Sequence, residues 1–211
     1  MTGTKQILQR QCIHAMASKV TSDRNSLRRD LRLRRLATPP ELLAGWSAAV
    51  CARVLTLEPW RSAETVHLFI GALPGEVRTE TLLRHAFAEG KTVICPRALS
   101  RGQLAHHRVT ALADLTPTRF GLLEPGATSP LADPTTAELV LVPGLGFDPS
   151  GARIGMGGGY YDRFLASLDC VRLGLTFEWH LLTHVPMQAH DQRVDAIVTE
   201  LRVIEAARGE E

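Results

Sequence analysis

Arg153 is the one cation in a run of seven glycines and two prolines between Pro143 and Gly159. Asp148 precedes it and Asp162 follows it, so one short stretch holds a guanidinium, two carboxylates and many amides free of side chains. Glycine lets backbone N–H groups approach a ligand closely, and a guanidinium beside them suits an anion. The next segment, residues 160–165, can run as a helix whose first amides and positive dipole end, equivalent to roughly half a charge, face the loop. The combination reads as an anion cradle. No Lys-Ser or Lys-Thr follows the glycines as a nucleotide P-loop requires, and Gly144-Leu145-Gly146 lacks the third glycine of a dinucleotide fingerprint.

Other groups could do chemistry. Arg24, Arg28, Arg32 and Arg35 recur at helical spacing after the cap-type Ser22, with Leu27, Leu31 and Leu36 on another face. Periodicity alone reads those arginines as a solvated basic face. Glu76 stands in a loop, where pairing with Arg78 or exposure to solvent is the default. His180 and His184 are spaced i, i+4, but no third ligand or general-base glutamate accompanies them as zinc chemistry needs. His106 and His107 are adjacent, so in a strand they point to opposite faces, a poor metal arrangement. Cys12, Cys51, Cys95 and Cys170 form no CxxC pair and suggest neither a zinc site nor a disulfide framework; reduced thiols in a cytoplasmic protein are expected.

The elements that must position these groups alternate. Leu139–Val142 reads as a strand buried on both faces, ending at the glycine loop. Residues 65–70, 91–97, 104–109, 171–175 and 196–199 also read as strands, with His67 as a hydrogen-bonded core residue. Thr38-Pro39-Pro40-Glu41 predicts a helix start with Thr38 as N-cap and Glu41 closing a capping box, the helix running through Trp46, Val50, Val54 and Leu57. Thr79 is expected to cap a helix through Leu82, Leu83 and Phe87 to Gly90. Strands alternating with helices predict a single α/β domain with a mostly parallel central sheet flanked by helices. At 211 residues the chain is long enough for one such domain and a cleft of its own. The expected boundaries are an extension at 1–21, the domain at 22–204 and a tail at 205–211. A net charge of +2 is too small to argue for nucleic acid, and no apolar run is long enough to span a membrane.

The string LVPGLGFDPSGARIGMGGGYYDRFL, from Leu141 to Leu165, resembles the signature of the 5-formyltetrahydrofolate cyclo-ligase family, also called methenyltetrahydrofolate synthetase. Leu27-Arg28, Pro74-Gly75-Glu76-Val77, Lys91 to Arg97, Phe120-Gly121 to Glu124-Pro125 and Val185 to Glu200 add matches, so the resemblance covers about residues 22 to 200. It implies ATP- and Mg²⁺-dependent cyclisation of 5-formyltetrahydrofolate to 5,10-methenyltetrahydrofolate, with release of ADP and phosphate through a phosphorylated formyl intermediate. It assigns Arg153 to catalysis. Arg24, Arg28, Arg153, Ile154, Gly155, Met156, Gly157, Gly158, Gly159, Tyr160 and Tyr161 fall to ATP. Glu76, Phe120 and the segment Met156, Gly157, Gly158, Gly159, Tyr160 fall to folate, and Asp162 and Asp191 to Mg²⁺. Of the two tyrosines, one is expected to hydrogen-bond at the site and the other to pack beneath the loop. Two departures stand out: Arg24 occupies the position of a family lysine, and Arg78 one that is often acidic. They motivate an alternative, a catalytically inactive folate- or nucleotide-binding regulator of the same fold. A basic RNA-binding accessory would need interleaved aromatics that this arginine face lacks. A cytoplasmic monomer acting on folate and ATP, with no nucleic-acid or membrane partner, is the expectation.

Overall fold

The structure, a computed structural model, describes residues 23–71, 73–117 and 123–207. Five α-helices occur among them: α1 Arg24–Leu36, α2 Pro40–Val54, α3 Glu58–Ser62, α4 Glu80–Ala88 and α5 Tyr160–Leu165. The strands are β1 Thr65–His67, β2 Thr92–Ala98, β3 Leu104–Val109, β4 Leu115–Pro117, β5 Leu123–Pro125, β6 Leu139–Pro143, β7 Gly146–Phe147, β8 Arg153–Ile154, β9 Val171–Leu175, β10 Ala196–Val198 and β11 Val203–Glu205.

Seven strands form the main sheet in the order β11-β10-β9-β6-β1-β2-β3. Its four central pairings are parallel, and the two edge strands β3 and β11 pair antiparallel. The expected mostly parallel α/β sheet is therefore present. Strand alternation divides the core. Val66, Leu139, Leu141, Leu173 and Val198 face a cluster with Val50, Val54, Leu82 and Leu83 of α2 and α4. Val140, Val142 and Ile197 face the other way, onto Phe147, Phe164 and Leu165. Both faces of the sheet are thus covered, which is why β6 is apolar at every position. Each fully buried Leu or Val side chain adds about 1.5–3 kcal/mol to the burial term.

Helix α1 begins where Asp23 accepts from the amides of Asn25 and Ser26 at 3.1 and 3.0 Å. Leu31 is fully buried against Leu145, Ala152, Ile154 and Val185, whereas Leu36, expected on the same apolar face, is 67% exposed. Two expected caps do other work. Pro39, not Thr38, is the N-cap of α2, because the Thr38 hydroxyl donates to Arg34 O at the end of α1. Thr79 is the N-cap of α4 as expected, but its hydroxyl makes no cap bond: it donates to Phe69 O at 2.6 Å and accepts from the Gly71 amide, pinning the loop after β1. β1 ends at His67, short of the expected Ile70. The chain stays attached beyond β11, where Ala206 N donates to Asp195 O. No helix among the described residues is long and apolar enough to cross a membrane.

Candidate functional site

From β1 the chain crosses to β2 on one side of the sheet, and the later β6 lies on the other side of β1. The crevice outside the carboxyl ends of β1 and β6 is therefore a topological switch point, where open α/β sheets bind ligands. A cleft opens there, and its lining includes Leu73 and Glu76 from the loop after β1 and Pro143 and Gly144 at the end of β6.

The glycine stretch folds first as a small antiparallel hairpin, β7 with β8, pairing Phe147 with Arg153. Asp148 closes it: one carboxylate oxygen accepts from the Ser150 amide at 2.9 Å, the other from the Val185 amide at 2.6 Å. Asp148 is therefore a buried turn residue that does not line the cleft. Arg153 follows, 5% exposed, and its Nη2 donates to Asp162 Oδ1 at 2.7 Å. A Cβ on Gly155 would lie 2.8 Å from Arg153 Nη1, so a side chain there would push the guanidinium from its place. Gly159 turns the chain into α5 with φ +65, a conformation that favours glycine. Because α5 is six residues long, its dipole is weak, and the positive character of the cleft comes from arginines.

Those arginines come chiefly from α1, whose period sets Arg24, Arg28, Arg32 and Arg35 on one face. The face is laid on the glycine loop, with Arg32 still exposed. Arg28 Nε donates to Gly155 O at 3.1 Å and Arg32 Nη2 to Met156 O at 2.9 Å. Arg35 Nη2 donates to Gly144 O, and its Nη1 lies 3.5 Å from Glu76 Oε1. Arg24 grips both oxygens of Asp191 and the Pro186 carbonyl. A loop without side chains leaves its carbonyls open, and the helix supplies the donors.

The acids are engaged as well. Glu76 is 8% exposed and accepts from the Leu73 amide at 3.3 Å; it faces Arg35, while Arg78 points outward, exposed. Asp191 receives Arg24 on both oxygens and the Gln188 amide at 2.7 Å on one. Burial pushes its pKa up, but the Arg24 and Gln188 hydrogen bonds outweigh this and hold it below the ordinary value. Asp162 Oδ1 takes Arg153 and the Gln192 amide, and its Oδ2 accepts no hydrogen bond among the described residues. No group of three or more His, Cys, Asp or Glu side chains able to hold a metal occurs among them.

Tyr160 OH donates to Leu99 O at 3.1 Å, and Arg163 donates through Nε and Nη2 to Gly102 O, so α5 is tied to the turn between β2 and β3. Tyr161 is packed beneath the loop, its ring near Phe164 and the Arg153 guanidinium. Its hydroxyl is buried with no partner among the described residues, and burial raises its pKa.

Arg24, Arg28, Glu76, Arg153, Gly155 to Asp162 and Asp191 all line the cleft. Ile154 does not: its side chain is fully buried with Leu31 and Leu145. Phe120 lies outside the described residues. Arg35, Gly144, Gln188 and His190 line the cleft too; in the sequence Arg35 shows only as the fourth arginine of the helical row, Gly144 as part of the glycine run, and Gln188 and His190 as part of the matched segment from Val185 to Glu200. His180 is buried among Phe177 and Trp179, and burial, then Arg35 and Arg34, push its pKa down to about 3. His184 is exposed, so the two do not make a metal pair.

A glycine loop clasped by arginines at the switch point of a parallel α/β sheet is a site whose chemistry suits an anionic ligand. The chain belongs to the 5-formyltetrahydrofolate cyclo-ligase family, whose sequence model matches residues 20–200. It is 31% identical over 174 residues to a probable 5-formyltetrahydrofolate cyclo-ligase of Schizosaccharomyces pombe, covering 75% of this chain and 85% of that one. The 5-formyltetrahydrofolate cyclo-ligase of Escherichia coli strain K12 is 29% identical, over 83% of this chain and 99% of its own. The solved 5,10-methenyltetrahydrofolate synthetase of Aquifex aeolicus superposes with a TM-score of 0.77 at 27% identity, covering 89% of this chain and 95% of that one.

Proposed function

We propose that this protein closes the imidazoline ring of 5-formyltetrahydrofolate at the cost of one ATP, giving 5,10-methenyltetrahydrofolate, ADP and phosphate. The formyl oxygen attacks the γ-phosphorus and ADP leaves; N10 of the same folate attacks the activated formyl carbon; phosphate departs with the oxygen, and the N10 proton is lost. The protein's part is positioning and charge stabilisation. The observation that carries this reading is the convergence on one cleft of Arg153, Arg28, the Gly155 to Gly159 backbone and Glu76.

In this reading Arg153 is the catalytic cation, facing the transferred phosphoryl group, while Arg28 and the loop amides hold the remaining phosphates. Glu76 accepts N–H groups of the pterin edge. Arg24 lines the ATP side, but its guanidinium is committed to Asp191 and the Pro186 carbonyl, so its work is to tie α1 to the segment that carries Asp191. Mg²⁺ takes one or two carboxylates plus waters and phosphate oxygens, and the open Oδ2 of Asp162 fits that role. Asp191, with both oxygens engaged, serves instead as the counter-ion of Arg24. When bound, Mg²⁺ would offset charge on the ATP phosphates.

The test is a paired assay of purified protein with 5-formyltetrahydrofolate and Mg²⁺, with and without ATP, following the absorbance of the methenyl product. Product that requires ATP supports the proposal. Folded protein that binds folate and yields no product with ATP would overturn it in favour of a binding-only regulator.

A further inference from the structure

We propose that Arg35 is a positioning residue for the folate end of the cleft: it keeps the Glu76 carboxylate ionised and aimed, and couples it to the first residue of the glycine loop. The inference rests on the reading of Glu76 given above. Arg35 and Glu76 are both nearly buried, with side chains 7% and 9% exposed. A buried carboxylate tends toward its neutral form unless a cation faces it, and a neutral acid would present an O–H where pterin N–H groups need acceptors. Arg35 is a cation that faces it among the described residues. Its second fork nitrogen donates to Gly144 O, so one planar group spans the acid and the loop, a geometry that lysine's point charge does not reproduce.

The backbone fixes the same relationship. Gly75, immediately before Glu76, has φ +65, and a Cβ there would lie 2.5 Å from Arg35 O and 2.7 Å from Arg35 Cα. The turn carrying the acid is therefore packed directly on the residue that pairs with it. Among the groups around the pair, Tyr161 from α5 is buried beside Glu76 and Arg153, and His180 and Arg34 stand on the Arg35 side. Burial pushes the Arg35 pKa down and Glu76 pushes it back up. Among the described residues Arg35 Nε is buried without a partner, and the side chain's bonds run through its two terminal nitrogens.

The experiment uses Arg35→Met, Arg35→Lys, Glu76→Gln, the Arg35→Met/Glu76→Gln double variant, and Arg29→Met on the exposed side of α1 as a control. The Glu76 carboxyl is titrated by carbon NMR in the free protein, assigned with Glu76→Gln. Binding of 5-formyltetrahydrofolate is measured by calorimetry from pH 5 to 8 without ATP. Arg35→Met should raise the Glu76 titration by about one pH unit or more, the size of effect a close opposite charge has on a carboxylate. Folate affinity should fall about tenfold at low pH and recover toward pH 8. Arg35→Lys should keep the titration near wild type, and the double variant should bind no worse than Glu76→Gln alone. Where the methionine variant does not fold, Arg35→Gln removes the charge while keeping a donor, with the same readouts. A Glu76 titration unmoved by loss of the Arg35 charge, or an affinity loss equal at every pH, would sink the proposal. Wild-type protein that binds no 5-formyltetrahydrofolate would instead overturn the reading of the cleft, and the free-protein titration would still decide whether Arg35 sets the state of Glu76.

Discussion

Arg153 Nη2 lies 2.7 Å from Asp162 Oδ1, so a guanidinium at the start of β8 and a carboxylate in the first turn of α5 meet across the glycine run. The pair fixes the loop between them without a side chain from the loop itself. It also holds Arg153 where its Nη1 stays close to the Pro143 carbonyl at the end of β6.

Replacing Arg153 by alanine should lower turnover by at least about 100-fold, the loss typical of removing one transition-state donor. Asp162 keeps the Gln192 amide and partial solvent access, so the melting temperature should change far less than the rate. Initial rates and thermal melts on one preparation check this; near-normal turnover in a folded variant would remove Arg153 from the chemistry.

If Asp162 holds Mg²⁺ as proposed, Asp162→Asn removes a ligand charge; it also weakens the hold on Arg153. The rate should require several-fold more Mg²⁺ for half-saturation, about as expected when a hard cation loses a carboxylate. Rate measured against Mg²⁺ at fixed ATP gives the answer, and an unchanged midpoint would place the metal elsewhere.

The Arg24–Asp191 pair is part-buried, its side chains 15% and 2% exposed. Arg24→Met leaves that carboxylate the Gln188 amide but not its guanidinium partner and should lower stability by less than the roughly 3–5 kcal/mol of a fully buried pair; Arg24→Met with Asp191→Asn should recover part of it. Asp191 is depressed in the folded state, so its contribution is present above the unfolded value of about 3.9 and lost as pH falls through the folded one. Urea titrations between pH 2 and 5 should show a shallower acid loss in Asp191→Asn than in wild type.

His106 packs on Phe164 and shares a 3.0 Å hydrogen bond with His67. Burial, then His107, pushes its pKa down to about 4. Between that value and the unfolded value of about 6.5 the unfolded chain binds more protons, so stability falls as pH drops through this window. His106→Leu should flatten the melting temperature over pH 4 to 6.5, without abolishing the slope, because His67 and His180 are depressed too.

Gly102 has φ +73, and a Cβ there would lie 1.7 Å from Arg163 Nη2 and 2.5 Å from Gly158 O. Gly102→Ala should cost at least about 1 kcal/mol for the backbone alone and displace the loop through Arg163. Nucleotide affinity measured by calorimetry should weaken together with the melting temperature; a loss of stability with unaltered affinity would disconnect this turn from the site.

The sequence by itself determined the main strands and the glycine loop at the end of one of them. β6 is legible because a strand covered on both faces must be apolar throughout, and the loop after it because only glycine fits where Arg153, Tyr160 and Arg163 crowd the backbone. The resemblance of that string to the cyclo-ligase signature rested on the same local constraint. Pairing across the chain was decided only in three dimensions. Periodicity could tell that Arg24, Arg28, Arg32 and Arg35 share a face, but not that the face meets carbonyls more than a hundred residues away. Nor could it tell that Thr38 and Thr79 would spend their hydroxyls on Arg34 O and Phe69 O rather than on helix starts. Local geometry depends on neighbours in sequence; which donor reaches which acceptor depends on how α1 and the loops pack over the ends of β1 and β6, and that is fixed by the whole core.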